Sequence, residues 1–177
     1  MLRNVDPARI LTLTNALVSK DEASFATAIC GYIDPLSREI VYASAGHPPP
    51  VLGRRAGPAA FLDYGGVMLG AERHQAYTNV RIIGPRRGLF VLYTDGVTER
   101  SHNVIQGERR LLVAVDDAMI GGLTDAARAI EEGIFHKASP ADDASIVAIA
   151  FGYPAISPAI VGHCAGAVHL RGNAMSV

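Results

Sequence analysis

An apolar run ending in an acidic turn constrains this chain most: Leu89-Phe90-Val91-Leu92-Tyr93-Thr94-Asp95-Gly96-Val97-Thr98-Glu99. Residues 89–93 have the length and β-prone chemistry of a buried strand. Asp95-Gly96 breaks it, because glycine adopts backbone conformations that other residues resist. A carboxylate is thereby fixed at the mouth of a packed sheet, with Thr98 and Glu99 close behind. A rigid strand end suits a metal ligand or a catalytic acid. Taken alone, the stretch also reads as an ordinary strand and tight turn, which is the commoner outcome.

The rest of the chain must supply a core for that strand. Its 177 residues suit one domain, and 49% of them are hydrophobic against 19% charged. Disorder is excluded on that balance. A net charge of −1 gives no overall field to draw nucleic acid or an acidic membrane. Cys30 and Cys164 make no disulfide framework, and Cys30 reads as a small buried hydrophobe. The N-terminus lacks the apolar core of a signal peptide. No apolar run approaches the ~20 residues of a membrane span. A soluble, cytoplasmic protein is expected.

Read in order, Asp6-Pro7 predicts a helix N-cap with proline at the first helical position, and Ile10, Leu13, Ala16 and Leu17 share a face over residues 7–19. Residues 25–33 and 39–45 read as strands joined by the turn Asp34-Pro35-Leu36-Ser37, an antiparallel hairpin. Gly46-His47-Pro48-Pro49-Pro50 ends it in a stiff loop, since proline cannot donate to a ladder. Short strands are expected at 51–52, 61–62 and 77–83. Gly65 to Gly70 shapes backbone and lacks the context of a nucleotide-binding loop. Two helices follow, over 108–119 and 124–137, with Thr124 as the second N-cap. Residues 146–151 form a last strand. Residues 152–177, rich in Gly, Ala and Pro, have no period and read as a poorly ordered tail. Short strands, then helices, then a closing strand predict α+β with a mainly antiparallel sheet.

Asp95 follows an apolar strand, and the Asp142-Asp143 pair precedes one. If those strands are antiparallel neighbours, the carboxylates meet at one sheet edge. Crowded carboxylates repel, which raises a pKa or invites a cation. Hard oxygen donors without Cys or His favour Mg²⁺ or Mn²⁺. Two unrelated surface turns are the alternative. His47 could position a phosphate or act as an acid, or simply hold its proline-rich loop through a hydrogen bond. His74, His102, His136, His163 and His169 share no spacing and are assigned to the surface. Arg54, Arg55, Arg86 and Arg87 sit in loops, where they could bind a phosphoprotein, although basic turn residues are usually just solvated.

Several strings resemble one family together. They are Phe25-Ala26-Thr27 with Gly31-Tyr32-Ile33-Asp34-Pro35, Tyr42-Ala43-Ser44-Ala45-Gly46-His47-Pro48-Pro49, Met68-Leu69-Gly70, Tyr93-Thr94-Asp95-Gly96-Val97-Thr98-Glu99 and Asp142-Asp143-Ala144-Ser145-Ile146-Val147. In that order they look like the SpoIIE/RsbU-type serine/threonine phosphatases, a branch of the PPM metal-dependent phosphatases. The resemblance spans residues 7–151. It implies an antiparallel β-sandwich flanked by helices, with two Mn²⁺ or Mg²⁺ ions that activate a water against phosphoserine or phosphothreonine.

Carried over by position, the resemblance makes Asp95 and one of Asp142 and Asp143 metal ligands, Asp142 being preferred. Asp95 and Asp142 are then the catalytic pair, with Gly46, His47 and Gly96 shaping the site. The implied partner is a phosphorylated regulator of the anti-anti-sigma type. The family's early Gly-Asp and Asp-x-x-Gly-His-Gly motifs have no counterpart here, so the chain is expected to be an N-terminally truncated domain over 1–151 with weak or no activity. A non-catalytic, phosphatase-like binding module is the alternative. Sheet edges left unpaired by lost strands would invite self-association, so a homodimer is among the expectations.

Overall fold

The computed structural model describes residues 5–20, 24–99, 103–121, 125–136 and 143–152, and the backbone alone of 158–163. Asp142, Cys164, His102 and His169 lie outside the described residues. The contacts divide the chain into two units: Met1–Pro49 with Asp63–Gly84, and Pro50–Leu62 with Pro85–Val177.

In the first unit, α1 (Pro7–Val18) starts as its sequence predicts. Asp6 caps it by accepting from the Arg9 N–H at 3.2 Å, and Pro7 occupies the first turn. Asp6 also accepts from Asn79 Nδ2 at 2.7 Å, and that bond chiefly holds its carboxyl below the usual range. Strands β1 (Ala28–Ile33) and β2 (Glu39–Ala45) form the expected hairpin, in register from Ala28 opposite Ala45 to Ile33 opposite Ile40. Strand β1 begins later than its apolar run. Ala26 leaves the hairpin to exchange both backbone hydrogen bonds with Leu69. The other edge of β2 pairs with a short strand, Val80–Ile83, giving a three-stranded antiparallel sheet.

One face of this sheet packs on α1. Ala8 and Leu11 meet Ala43, Ala45, Leu69 and Tyr77, with Cys30 beside them. Burial pushes the Cys30 thiol up, as expected for a packing residue. Asn15, also buried, works as a polar latch. Its Nδ2 donates to the Glu72 carbonyl at 2.8 Å, and its Oδ1 accepts from the Gly70 N–H at 2.9 Å. Replacing Asn15 with alanine removes the side-chain partner of both backbone groups and leaves a gap where the buried amide sat. The expected loss is about 2 kcal/mol in denaturant unfolding; a change under about 0.5 kcal/mol would show that the latch is not holding the loop.

In the second unit, strands are numbered onward in chain order: β3 (Val51–Arg54), β4 (Ala60–Phe61), β6 (Gly88–Tyr93), β7 (Ala144–Phe151) and β8 (Pro158–His163), the strand Val80–Ile83 being β5. They form one antiparallel sheet in the order β4-β3-β6-β7-β8. The tail is therefore not wholly irregular, since Pro158–His163 pair along β7. Alternation along β6 sends Leu89, Val91 and Tyr93 into the same core as Ala144, Ile146, Ala148 and Ala150 of β7.

Helices α2 (Val104–Gly121) and α3 (Ala126–Phe135) close that core. Leu111, Ala114, Val115 and Ala118 recur at helical spacing on α2, and Ala127, Ile130 and Ile134 on α3. A side chain at Gly133 would meet the Ala114 Cβ at 3.1 Å, so α3 lies close on α2. Helix α2 begins four residues before the predicted start. Asn103 accepts from the Gln106 N–H at 3.2 Å and nucleates the extra turn. The α3 cap is Asp125, not Thr124. Among the described residues no helix is long and apolar enough to cross a membrane.

Candidate metal centre

The geometry starts from the pairing of β6 with β7, which puts Tyr93 opposite Ile146. One residue further, the Thr94 N–H donates to the Ser145 carbonyl at 3.1 Å. The Ser145 N–H donates back to Thr94 Oγ1 at 2.9 Å. Thr94 thus stitches the two strands together just where the chain turns away from the sheet. Asp95–Val97 follow as a single 3-10 turn.

That turn is closed from within. The Asp95 carbonyl accepts from the Thr98 N–H at 2.8 Å, the Thr98 hydroxyl at 3.1 Å and the Glu99 N–H at 3.0 Å. The Asp95 Oδ1 accepts from the Gly96 N–H at 2.9 Å, which fixes the carboxylate's direction. Gly96 is buried because the other strand passes against it. A Cβ there would lie 2.5 Å from the Asp143 carbonyl oxygen. Glycine is needed at this point for a close approach of two backbones. The two acidic turns are therefore neighbours, as antiparallel pairing required, and Asp95 and Asp143 are both exposed at this end of the sheet.

Two further residues set the turn without being read as functional from sequence. Thr98 is buried, at 5% exposure, and carries the closing hydroxyl. Gly107, on α2, lies so close to the Thr98 carbonyl that a Cβ would fall 1.8 Å from its oxygen. The first turn of α2 thus rests directly on the back of the Asp95 turn. Gly107 falls just before the predicted helix start at residue 108, so the sequence pattern did not mark it.

Gly46 and His47, also predicted as site residues, belong to the first unit. Gly46 takes a φ of 67°, and its backbone packs on Met68, with 3.1 Å from a built Cβ to the Met68 N. Half-buried His47 offers its carbonyl to the Ser44 hydroxyl at 3.4 Å. His74 and His136 are exposed, as expected. Asp142 is outside the described residues.

The donor chemistry fits a hard divalent cation in kind. Carboxylate oxygens from Asp95 and Asp143 stand at one rigid sheet end, with no thiol or imidazole in their immediate turns. In number the set is small, since no group of three or more potential ligands is assembled among the described residues.

Residues 1–152 match the family Stage II sporulation protein E (SpoIIE). The structure matches the RsbU and RsbW domains of Rv1364c from Mycobacterium tuberculosis with a TM-score of 0.71 at 20% identity, over 82% of this chain and 42% of that one. It also matches the phosphatase domain of the cell-fate determinant SpoIIE from Bacillus subtilis, manganese-presoaked, with a TM-score of 0.53 at 14% identity over 86% of this chain and 68% of that one. The chain thus spans under half of the first of these and about two thirds of the second. A search of curated protein sequences gave no match.

Mixed helices and antiparallel sheets matching these structures define the PPM phosphatase fold. The chain belongs to the SpoIIE family, the SpoIIE/RsbU-type branch of the metal-dependent protein phosphatases.

Proposed function

We propose that this chain contributes one acidic pole of the metal centre in a serine/threonine phosphoprotein phosphatase. The observation that carries the reading is the approach of the Asp95 turn to Asp143 at the β6/β7 end. Asp95 and one of Asp142 and Asp143 would hold Mn²⁺ or Mg²⁺. When bound, such a cation acidifies a water and offsets phosphoryl charge. The chain's own residues do the positioning. The Gly96 N–H aims the Asp95 carboxylate, Thr94 locks the two strands in step, and Thr98 holds the turn closed.

The substrate class is a phosphoserine or phosphothreonine on a small regulatory protein of the anti-anti-sigma type, in keeping with the family. Turnover by this chain alone is expected to be weak, because a pair of carboxylates holds a dinuclear centre poorly. The small number of ligands among the described residues also favours a second reading, a phosphatase-like module that binds such a regulator without cleaving it. Phosphate release from a phosphoserine protein decides between them. Mn²⁺-dependent release that a chelator abolishes supports the phosphatase. Tight binding of that protein with no release at any Mn²⁺ concentration supports the module.

A further inference from the structure

Strand β6 has opposite charges at its two ends. Asp95 and Glu99 follow its last residue, while Arg86 and Arg87 precede its first. Register places a second basic pair beside them, because Arg54 at the end of β3 sits opposite Gly88 at the start of β6, and Arg55 follows it. Neighbouring strands lie about 4.8 Å apart, so the two turns present their arginines side by side. The acidic end is roughly 20 Å away along six residues of strand.

Both turns are held. A Cβ at Gly88 would meet the Gly53 carbonyl oxygen and the Pro85 Cγ, each at 2.4 Å. A Cβ at Gly152, whose φ is 85°, would fall 2.1 Å from the Arg86 carbonyl oxygen. These contacts clamp the 85–88 turn against the sheet. On the other limb, Ala59 N–H donates to Asp116 Oδ1 at 2.8 Å, which ties the 54–59 turn to α2. Asp116 is an acid at this end, but that oxygen is already engaged. Arg54, Arg55, Arg86 and Arg87 are all exposed. Arg54, Arg55 and Arg86 belong to neither ion pair found among the described residues, Arg81–Glu39 and Arg128–Glu132.

We propose that this end of the second unit is a docking surface for an acidic segment of a partner protein, gripped by Arg54, Arg55, Arg86 and Arg87. Rigid turns spare the binding the cost of ordering loops, and guanidinium forks suit carboxylates. Compactness favours a short acidic peptide over nucleic acid, since duplex binding calls for a basic stripe along many phosphates and the whole chain carries a charge of −1. This surface stands apart from the phosphatase reading and does not depend on it.

Fluorescence anisotropy of a labelled hexaglutamate peptide against the full chain tests the surface. The expected result is saturable binding that weakens as salt is raised. The R54E/R55E and R86E/R87E variants should each lose at least tenfold in affinity, with circular dichroism unchanged. The quadruple lysine variant, which keeps the charge but loses the guanidinium forks, should bind more weakly than the wild type and more tightly than either charge-reversed variant. No peptide binding by the wild type, or equal binding by the charge-reversed variants, overturns the proposal. So does duplex DNA competing more strongly than the peptide.

Discussion

Asp95→Asn will reduce Mn²⁺-dependent hydrolysis of p-nitrophenyl phosphate by at least about 100-fold, or to the no-enzyme background where the wild-type chain turns over slowly. Removing an outer partner of a metal ligand already costs roughly 10–100-fold, and a direct ligand should cost more. Asparagine is the informative substitution. Its side-chain oxygen can still accept from the Gly96 N–H, the bond that Asp95 Oδ1 makes at 2.9 Å. The backbone bonds from Thr98 and Glu99 to the residue 95 carbonyl are also unaffected. Folding stability should therefore change by less than about 1 kcal/mol, as for an exposed site. Asp95→Ala should match it in activity while losing somewhat more stability. Unchanged turnover in Asp95→Asn would remove Asp95 from the metal centre.

Gly107→Ala should be the most damaging single methyl group in the second unit. On helix propensity alone, alanine would gain about 1 kcal/mol over glycine in a helix interior. Sterics outweigh that gain. The added Cβ would sit 1.8 Å from the Thr98 carbonyl oxygen, with backbone rather than a flexible side chain in the way. Either the first turn of α2 lifts away or the Asp95 turn is pushed off its seat. Overpacking of this kind costs roughly 1–3 kcal/mol, and the upper end is expected here. The same shift should weaken Mn²⁺ binding, because the displaced backbone carries Asp95. Gly121→Ala is the control. It lies at the end of the same helix with open space at its Cβ position, so it should be neutral or slightly stabilising. Equal stability of the two variants in urea unfolding would show that α2 does not bear on Thr98.

Where local chemistry decided the outcome, the sequence was readable. Asp6-Pro7 marked the start of α1, Asp34-Pro35 marked the hairpin turn, and the run before Asp95-Gly96 marked β6. Each of these signals sits within a few residues of its effect. The adjacency of Asp95 and Asp143 could only be stated as a condition, since strand neighbours are chosen by packing across the fold. The structure meets that condition through Thr94, whose hydroxyl and amide both reach across to Ser145. The early start of α2 was hidden because Gly107 weakens the helical pattern, although tertiary contact with Thr98 requires it. Residues 25–27 looked like strand on composition, yet Ala26 pairs with Leu69 rather than with β2. Strand β8 was missed because Pro158 and Gly162 depress β-propensity along its length, and only the free edge of β7 gives it a partner. Thr98 and Gly107 were invisible as site residues for the same reason: each acts by supporting backbone, not by chemistry of its own.

Binding of Mn²⁺ to the chain, followed by electron paramagnetic resonance, tests the central claim most directly, because it reads the acidic pole without requiring turnover. With few carboxylate ligands, affinity should be modest, roughly 10⁻⁴–10⁻³ M, as for other sites of low ligand charge. Asp95→Asn should abolish that binding, and one of Asp142→Asn and Asp143→Asn should do the same. Mn²⁺ bound equally well by wild type and Asp95→Asn would contradict the account, placing any metal site of this chain elsewhere than the end of β6 and β7.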